Sequence, residues 1–163
     1  RCPNKNKKNN KTKMIIAIRI SGLVNMSGEM QETLYRLRLR KKYSAVLLKP
    51  TKINLKVLKK IRNHIAYGDI NKETLKELVE KRGIFLNKSK KANIEKIVEN
   101  LEKDISSPEI KPFFRLHPPR KGIDAKKHFG VSKKAVLGDN KDKINDLLRR
   151  MLRSLKNDIR HRD

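Results

Sequence analysis

Apolar residues first gather at Met14 to Ile20, a short β-branched run that stops at Ser21-Gly22 and predicts a buried strand. Arg19 is the single charge within it and is expected to point away from the core. After the turn, Ser27 can cap a helix on which Met30, Leu34 and Leu37 form one stripe, predicting helix to about Lys41. Tyr43 to Lys49, centred on Ala45-Val46-Leu47-Leu48, predicts a second strand that Pro50 stops. Thr51 can cap the next helix, where Asn54, Val57, Leu58, Ile61 and Ile65 keep helical spacing. At His64 to Gly68 the periodicity leaves two readings open, a continuing helix or a third strand.

The later pattern is mainly helical. Asn71 to Arg82 predicts a helix capped by Asn71, with Leu75, Leu78 and Val79 inward and Gly83 as terminator. Ala92 to Ile105 predicts another, with Ile94, Ile97, Val98, Leu101 and Ile105 on one face. Phe113 to Leu116 fits a short strand closed by Pro118-Pro119, and residues 120–134, Lys-rich with few core candidates, are expected to form a loop over a partner. The last helix is expected from near Asn140, with Ile144, Leu147, Leu148, Met151, Leu152 and Leu155 inward and Arg149, Arg150 and Arg153 outward. The pattern predicts one α+β domain with a small sheet and more helix than strand. Residues 1–13, rich in Lys and Asn without an aliphatic side chain, are expected to be a basic disordered arm, and Met14 is an alternative start.

Charge sharpens this picture. The 43 Lys and Arg against 17 Asp and Glu leave a formal charge of +26, so the free chain repels itself unless a polyanion neutralises it. The excess is uneven: residues 71–110 carry nine bases and eight acids, whereas 111–138 carry eight bases and one acid. The partner is therefore expected against the two ends and the first half, with 71–110 facing water. No run approaches the ~20 apolar residues of a spanning helix and no leader is evident, so a cytosolic site is expected. The single cysteine, Cys2, has no second thiol for an intrachain bridge and makes a zinc site improbable.

The chemistry of catalysis is poorly represented. The histidines at 64, 117, 128 and 161 stand apart from carboxylates or thiols at ligand or triad spacing. Seven of the 17 carboxylates sit between 73 and 104 on expected solvent faces, where Glu73 and Glu77 are like-charged neighbours one turn apart. The basic half offers only Glu29, Glu32 and Asp69, too few for a magnesium-dependent nuclease centre. Glycines stand singly, without a phosphate-binding loop, and seven aromatics give no stacking platform of the RNA-recognition type. No enzyme, metal, cofactor or small-molecule substrate is expected. Phosphate contact is expected instead of mere solvation at Lys11, Lys13, Arg38, Lys42 and Lys121, and at Lys126, Lys127, Lys133 and Lys134, where few acids balance the bases.

Several segments carry a resemblance: Arg19-Ile-Ser-Gly-Leu-Val-Asn25, Thr33-Leu-Tyr-Arg-Leu-Arg-Leu-Arg-Lys41, Ile65-Ala-Tyr-Gly68, Thr74-Leu to Lys81-Arg-Gly83, and Phe114-Arg-Leu-His-Pro-Pro-Arg120. With Leu137-Gly138 and Lys143-Ile-Asn-Asp-Leu147, their order and spacing resemble the L thirty family of large-subunit ribosomal proteins in its long archaeal form, whose eukaryotic counterpart is called L seven. The resemblance implies a three-stranded β-α-β-α-β, ferredoxin-like core over 14–70, with the third strand at Ile65 to Ile70, and a helical extension over 71–163 packed on that core. It implies ribosomal RNA and neighbouring ribosomal proteins as partners, a cytoplasmic place in the large subunit, and neither catalysis nor cofactor. It carries RNA contact to Arg19, Asn25, Arg40, Lys41, Arg115, His117 and Arg120. Ser21 stands where the family usually has a base, and Asp139-Asn140-Lys141 replaces an aromatic-base-glycine turn, so no contact is carried to that turn. The alternatives are a free-standing DNA-compacting protein, which charge alone permits, and an RNA-processing enzyme.

Overall fold

Strand β1 (Ile15–Arg19) lies between β2 (Ser44–Leu48) and β3 (Ile65–Asp69) and pairs antiparallel with both. Helices α1 (Gly28–Arg36) and α2 (Lys52–Lys60) make the connections in this computed structural model, which describes residues 14–24, 26–85, 97, 98, 100, 101 and 110–152. This is the β-α-β-α-β core, and the ambiguity at His64 to Gly68 resolves as strand. Ile61 closes α2, and the His64 N–H donates to the Ile61 carbonyl (3.0 Å), a turn that frees Ile65 to enter the sheet. Thr51 caps α2 through its side chain, accepting from the Asn54 N–H at 3.2 Å.

Beyond the core, α3 (Lys72–Arg82) and α4 (Ile144–Met151) are helical, as are residues 97, 98, 100 and 101. The same region also supplies β4 (Phe113–Arg115), β5 (Asp124–His128) and β6 (Ala135–Asp139). β4 pairs antiparallel with β2, β6 pairs parallel with β3, and β5 pairs parallel with β6. The expected three strands are thus the centre of a six-stranded sheet of order β4-β2-β1-β3-β6-β5.

Alternation along the strands divides two cores, because successive side chains leave opposite faces. Ile16 and Ile18 of β1 join Ala45, Leu47, Ala66 and Phe114 on the face covered by α3, residues 97, 98 and 101, and α4. Ile15 and Ala17 join Val46, Ile65 and Tyr67 on the other face, beneath Leu34 of α1 and Leu58 of α2. Burial on both sides explains why β1 reads as a continuous apolar run up to Arg19. Gly68 lets β3 meet the chain entering α4, since a Cβ there would overlap the Lys141 carbonyl oxygen and lie 3.1 Å from Ile144 Cβ and Cγ2.

Three expectations need correction. α1 ends at Arg36, not near Lys41, because Arg38 turns into the left-handed region (φ 61°) and the buried Leu39 folds back to donate its N–H to the Leu34 carbonyl. Residues 120–134 are not simply a loop, since Asp124–His128 forms β5. The final helix begins at Ile144, after a 3-10 turn over Lys141–Lys143, because the buried Asn140 side chain donates to the Val136 and Gly138 carbonyls. Ser27 and Asn71 occupy cap positions without a side-chain cap bond; the Asn71 N–H donates to Asn145 Oδ1 of α4 at 3.0 Å.

Candidate nucleic-acid interface

The bases converge on one end of the sheet, where β1 finishes and β2 and β3 begin. Arg38, Arg40, Lys41 and Lys42, all exposed, line the loop from α1 into β2, and the exposed Arg115 stands opposite Ser44 at the start of β2. From there residues 116–123 cross the sheet end to β5, whose Asp124 stands opposite Ala135 at the start of β6. Exposed Arg120 and Lys121 and half-buried His117 sit on this crossing, and exposed Lys133 and Lys134 lie just before β6. Lys126 and Lys127 continue along β5, with Lys127 Nζ 3.5 Å from Asp124. With β4 and β5 at opposite edges, five strand spacings separate the two flanks of this rim, roughly 24 Å.

Each flank has its own depression. At the β4 edge a groove of about 370 Å³ is lined by Arg38, Arg40, Lys41, Ser44, Lys111, Phe113 and Arg115. At the β5 edge a shallower hollow of about 660 Å³ is lined by Lys126, Lys127, Lys133 and Lys134 together with Ile123, Asp124, Ala125 and Ser132. Lys111 and Phe113 are additions that the sequence reading missed. Their signal was the period-two series Lys111, Phe113, Arg115, which puts three alternate side chains on one face of an extended edge segment.

Two arginines shape the rim from behind. Arg19 was expected to contact RNA, but it is 1% exposed, so that assignment is corrected. Its guanidinium donates to the carbonyls of Leu39 and Arg40 (2.8 Å each), Ser21 (3.0 Å) and Gly22 (3.2 Å), tying the turn after β1 to the basic loop before β2. Burial lowers its pKa, with the nearby Tyr35 acting in the opposite sense. Arg150, expected to be available, instead donates to the carbonyls of Arg120 and Gly122, and its own carbonyl accepts from the Arg120 N–H (3.2 Å). That clamp holds a turn in which Lys121 (φ 63°) and Gly122 (φ 66°) are both left-handed. Arg149 is also engaged, 3.5 Å from both Glu73 and Glu77, and so relieves the repulsion between those like charges. Lys11, Lys13, Asn25 and Arg153 lie outside the described residues.

His64 sits behind the same sheet end. Burial is the main cause that lowers its pKa below 6.5, and the Arg19 charge adds to it. Its Nδ1 is buried without a hydrogen-bond partner among the described residues. A depressed histidine pKa means the folded state binds fewer protons than the unfolded chain below pH 6.5, so stability is present above that pH and lost as pH falls through the window beneath it. Thermal melts from pH 7.5 to about pH 5 should therefore decline less steeply in His64→Gln than in the parent; parallel declines would remove His64 as a cause.

Among the described residues no three His, Cys, Asp or Glu side chains are placed to hold a metal ion, and no helix is long and apolar enough to cross a membrane. A rim of cations laid across a sheet end and presented by backbone clamps defines a polyanion-binding domain, suited to phosphates held by charge and shape. The chain is similar to large ribosomal subunit protein uL30 of Methanococcus maripaludis, 34% identical over 151 residues that cover 83% of this chain and 97% of that protein. It is also similar to uL30 of Archaeoglobus fulgidus, 34% identical with 85% and 99% covered, and of Metallosphaera sedula, 33% identical with 85% and 98% covered. No family model matches the chain. The chain belongs to the uL30 family of large ribosomal subunit proteins.

Proposed function

We propose that this chain is a structural constituent of the large ribosomal subunit, in the cytoplasm, where it braces folded ribosomal RNA beside other ribosomal proteins. The observation that carries the reading is near full-length similarity to uL30 proteins at about one third identity. The cationic rim supports it, since flanks roughly 24 Å apart suit two separate stretches of phosphate backbone better than one. Among the described residues, the proposed contacts are Arg38, Arg40, Lys41, Lys42 and Arg115 on one flank, His117, Arg120 and Lys121 on the crossing, and Lys126, Lys127, Lys133 and Lys134 on the other. Lys11, Lys13 and Asn25 join them on sequence grounds. The role is scaffolding, without turnover of a substrate.

Sedimentation tests this directly: the endogenous protein should travel with large subunits in a low-salt gradient, and its absence there would overturn the proposal. Phosphate contact also releases condensed counterions, so affinity should fall steeply as salt rises. Arg40→Ala and Arg120→Ala should each weaken binding to ribosomal RNA and flatten the salt dependence by about one counterion. Unchanged slopes in both variants would take those residues out of the interface.

A further inference from the structure

The β4-edge groove contains more than phosphate recognition requires. Arg38, Arg40, Lys41, Lys111 and Arg115 supply positive charge, and no carboxylate is among the lining residues. Between them lies Phe113, a half-buried ring on the face that β4 shares with Val46 of β2. The Arg115 guanidinium lies over that ring, 5.9 Å from its centroid, and the Arg40 guanidinium lies over Tyr35 at 5.6 Å. Phosphates engage the cations but not the part of the ring that lines the groove. A nucleobase offers the matching flat π face, and guanidinium planes as well as aromatic rings serve as stacking surfaces for unpaired bases. A duplex keeps those faces inside its own stack. The groove's volume, about 370 Å³, is at the small end of the range for small-molecule sites, room for one nucleotide and not for a helix.

We propose that this groove is a site for a single unpaired nucleotide of RNA, its base stacked on Phe113 and Arg115 and its flanking phosphates held by Arg38, Lys41 and Lys111. The proposal rests on the reading of the chain as an RNA-binding protein and adds base stacking to a surface otherwise read as phosphate- and shape-recognising. Phe113 packs in part against the core beneath α1 and α2, and it separates this site from a generic basic patch because the rest of its ring lines the groove, where counterion release gives it no role.

The test compares two probes of equal charge on the full chain: an adenylate trinucleotide, and the same trinucleotide with an abasic ribose at its centre. Stacking is expected to make the first bind about 5-fold or more tightly. Phe113→Leu should abolish that difference, so that the variant binds both probes alike. Arg115→Lys keeps the charge, loses the plane, and should reduce the difference in part. Equal affinity of the parent chain for both probes would overturn the proposal, as would a Phe113→Leu variant that keeps the full difference. Arg115 is exposed, so its variant carries the test if Phe113→Leu melts at the assay temperature. Sedimentation with large subunits is scored separately: trinucleotide discrimination without co-sedimentation would reject the ribosomal reading and leave the nucleotide site standing, and the reverse result would do the opposite.

Discussion

Arg19→Ala is expected to lower unfolding stability by about 3 to 6 kcal/mol, since two short bonds from a cationic donor, each of about 1.5 to 3 kcal/mol, are lost together. The Leu39 and Arg40 carbonyls that receive those bonds (2.8 Å each) belong to the loop carrying Arg38 to Lys42, and Leu39 itself is buried in the core beneath α1 and α2. The same substitution should weaken RNA binding although Arg19 does not reach the surface, because the loop loses its fixed shape. Arg19→Lys should restore little, since an ammonium cannot direct donors to the Ser21 and Gly22 carbonyls on one side and to Leu39 and Arg40 on the other. Urea unfolding of both variants measures the effect. A loss below about 1 kcal/mol would mean that water replaces the guanidinium at those carbonyls.

Gly68→Val should be comparably damaging for a steric reason. The added Cβ would overlap the Lys141 backbone carbonyl, and Ile144 at 3.1 Å leaves no room on the other side. A main-chain atom cannot rotate away as a side chain does, so the strain passes to the junction of β3, β6 and α4. That junction includes the Ala66–Gly138 and Tyr67–Asp139 register and the bond from the Asn140 N–H to the Tyr67 carbonyl (2.8 Å). Overpacking ordinarily costs about 1 to 3 kcal/mol, and a backbone obstacle places this case at about 3 kcal/mol or above. For a chain of this size that corresponds to a fall of about 6 to 12 °C in Tm. An unchanged Tm would show that the turn into α4 moves freely, whereas Gly68→Ala should give a smaller fall of the same sign.

The central elements were readable because their side chains state their surroundings. β1, β2 and α3 carry β-branched runs or helical stripes, and Thr51 announces the start of α2. β5 escaped because Asp-Ala-Lys-Lys-His has no buried face to display; it is held in the sheet by backbone pairing with β6 at the edge. The end of α1 escaped for the opposite reason. Leu37 and Leu39 prolong an apolar pattern, yet Leu39 reaches the core from a reversed turn and not from another helical turn.

The interface was readable as charge and not as geometry. Counting bases found Arg38 to Lys42, Arg115 to Lys121 and Lys126 to Lys134, which the fold gathers along one end and edge of the sheet. The count could not tell Arg19, consumed by four carbonyls, from Arg115, which remains exposed. That difference depends on loops twenty residues apart in sequence closing around one guanidinium. Nor did the composition, with seven aromatics in the whole chain, single out Phe113 as a ring set among cations.

The strand order has a consequence for biogenesis. β2 and β3 flank β1 within the first 70 residues, but their outer neighbours, β4 and β6, are encoded only after residue 110. While the polypeptide is being made, the early three-strand unit therefore presents two bare hydrogen-bonding borders to solvent, each competent to recruit a strand from another nascent copy. Closure of those borders waits for pairings between distant parts of the message, which slows maturation relative to a locally wired fold. A truncation that stops before β4 should accordingly clump where the whole polypeptide stays dispersed.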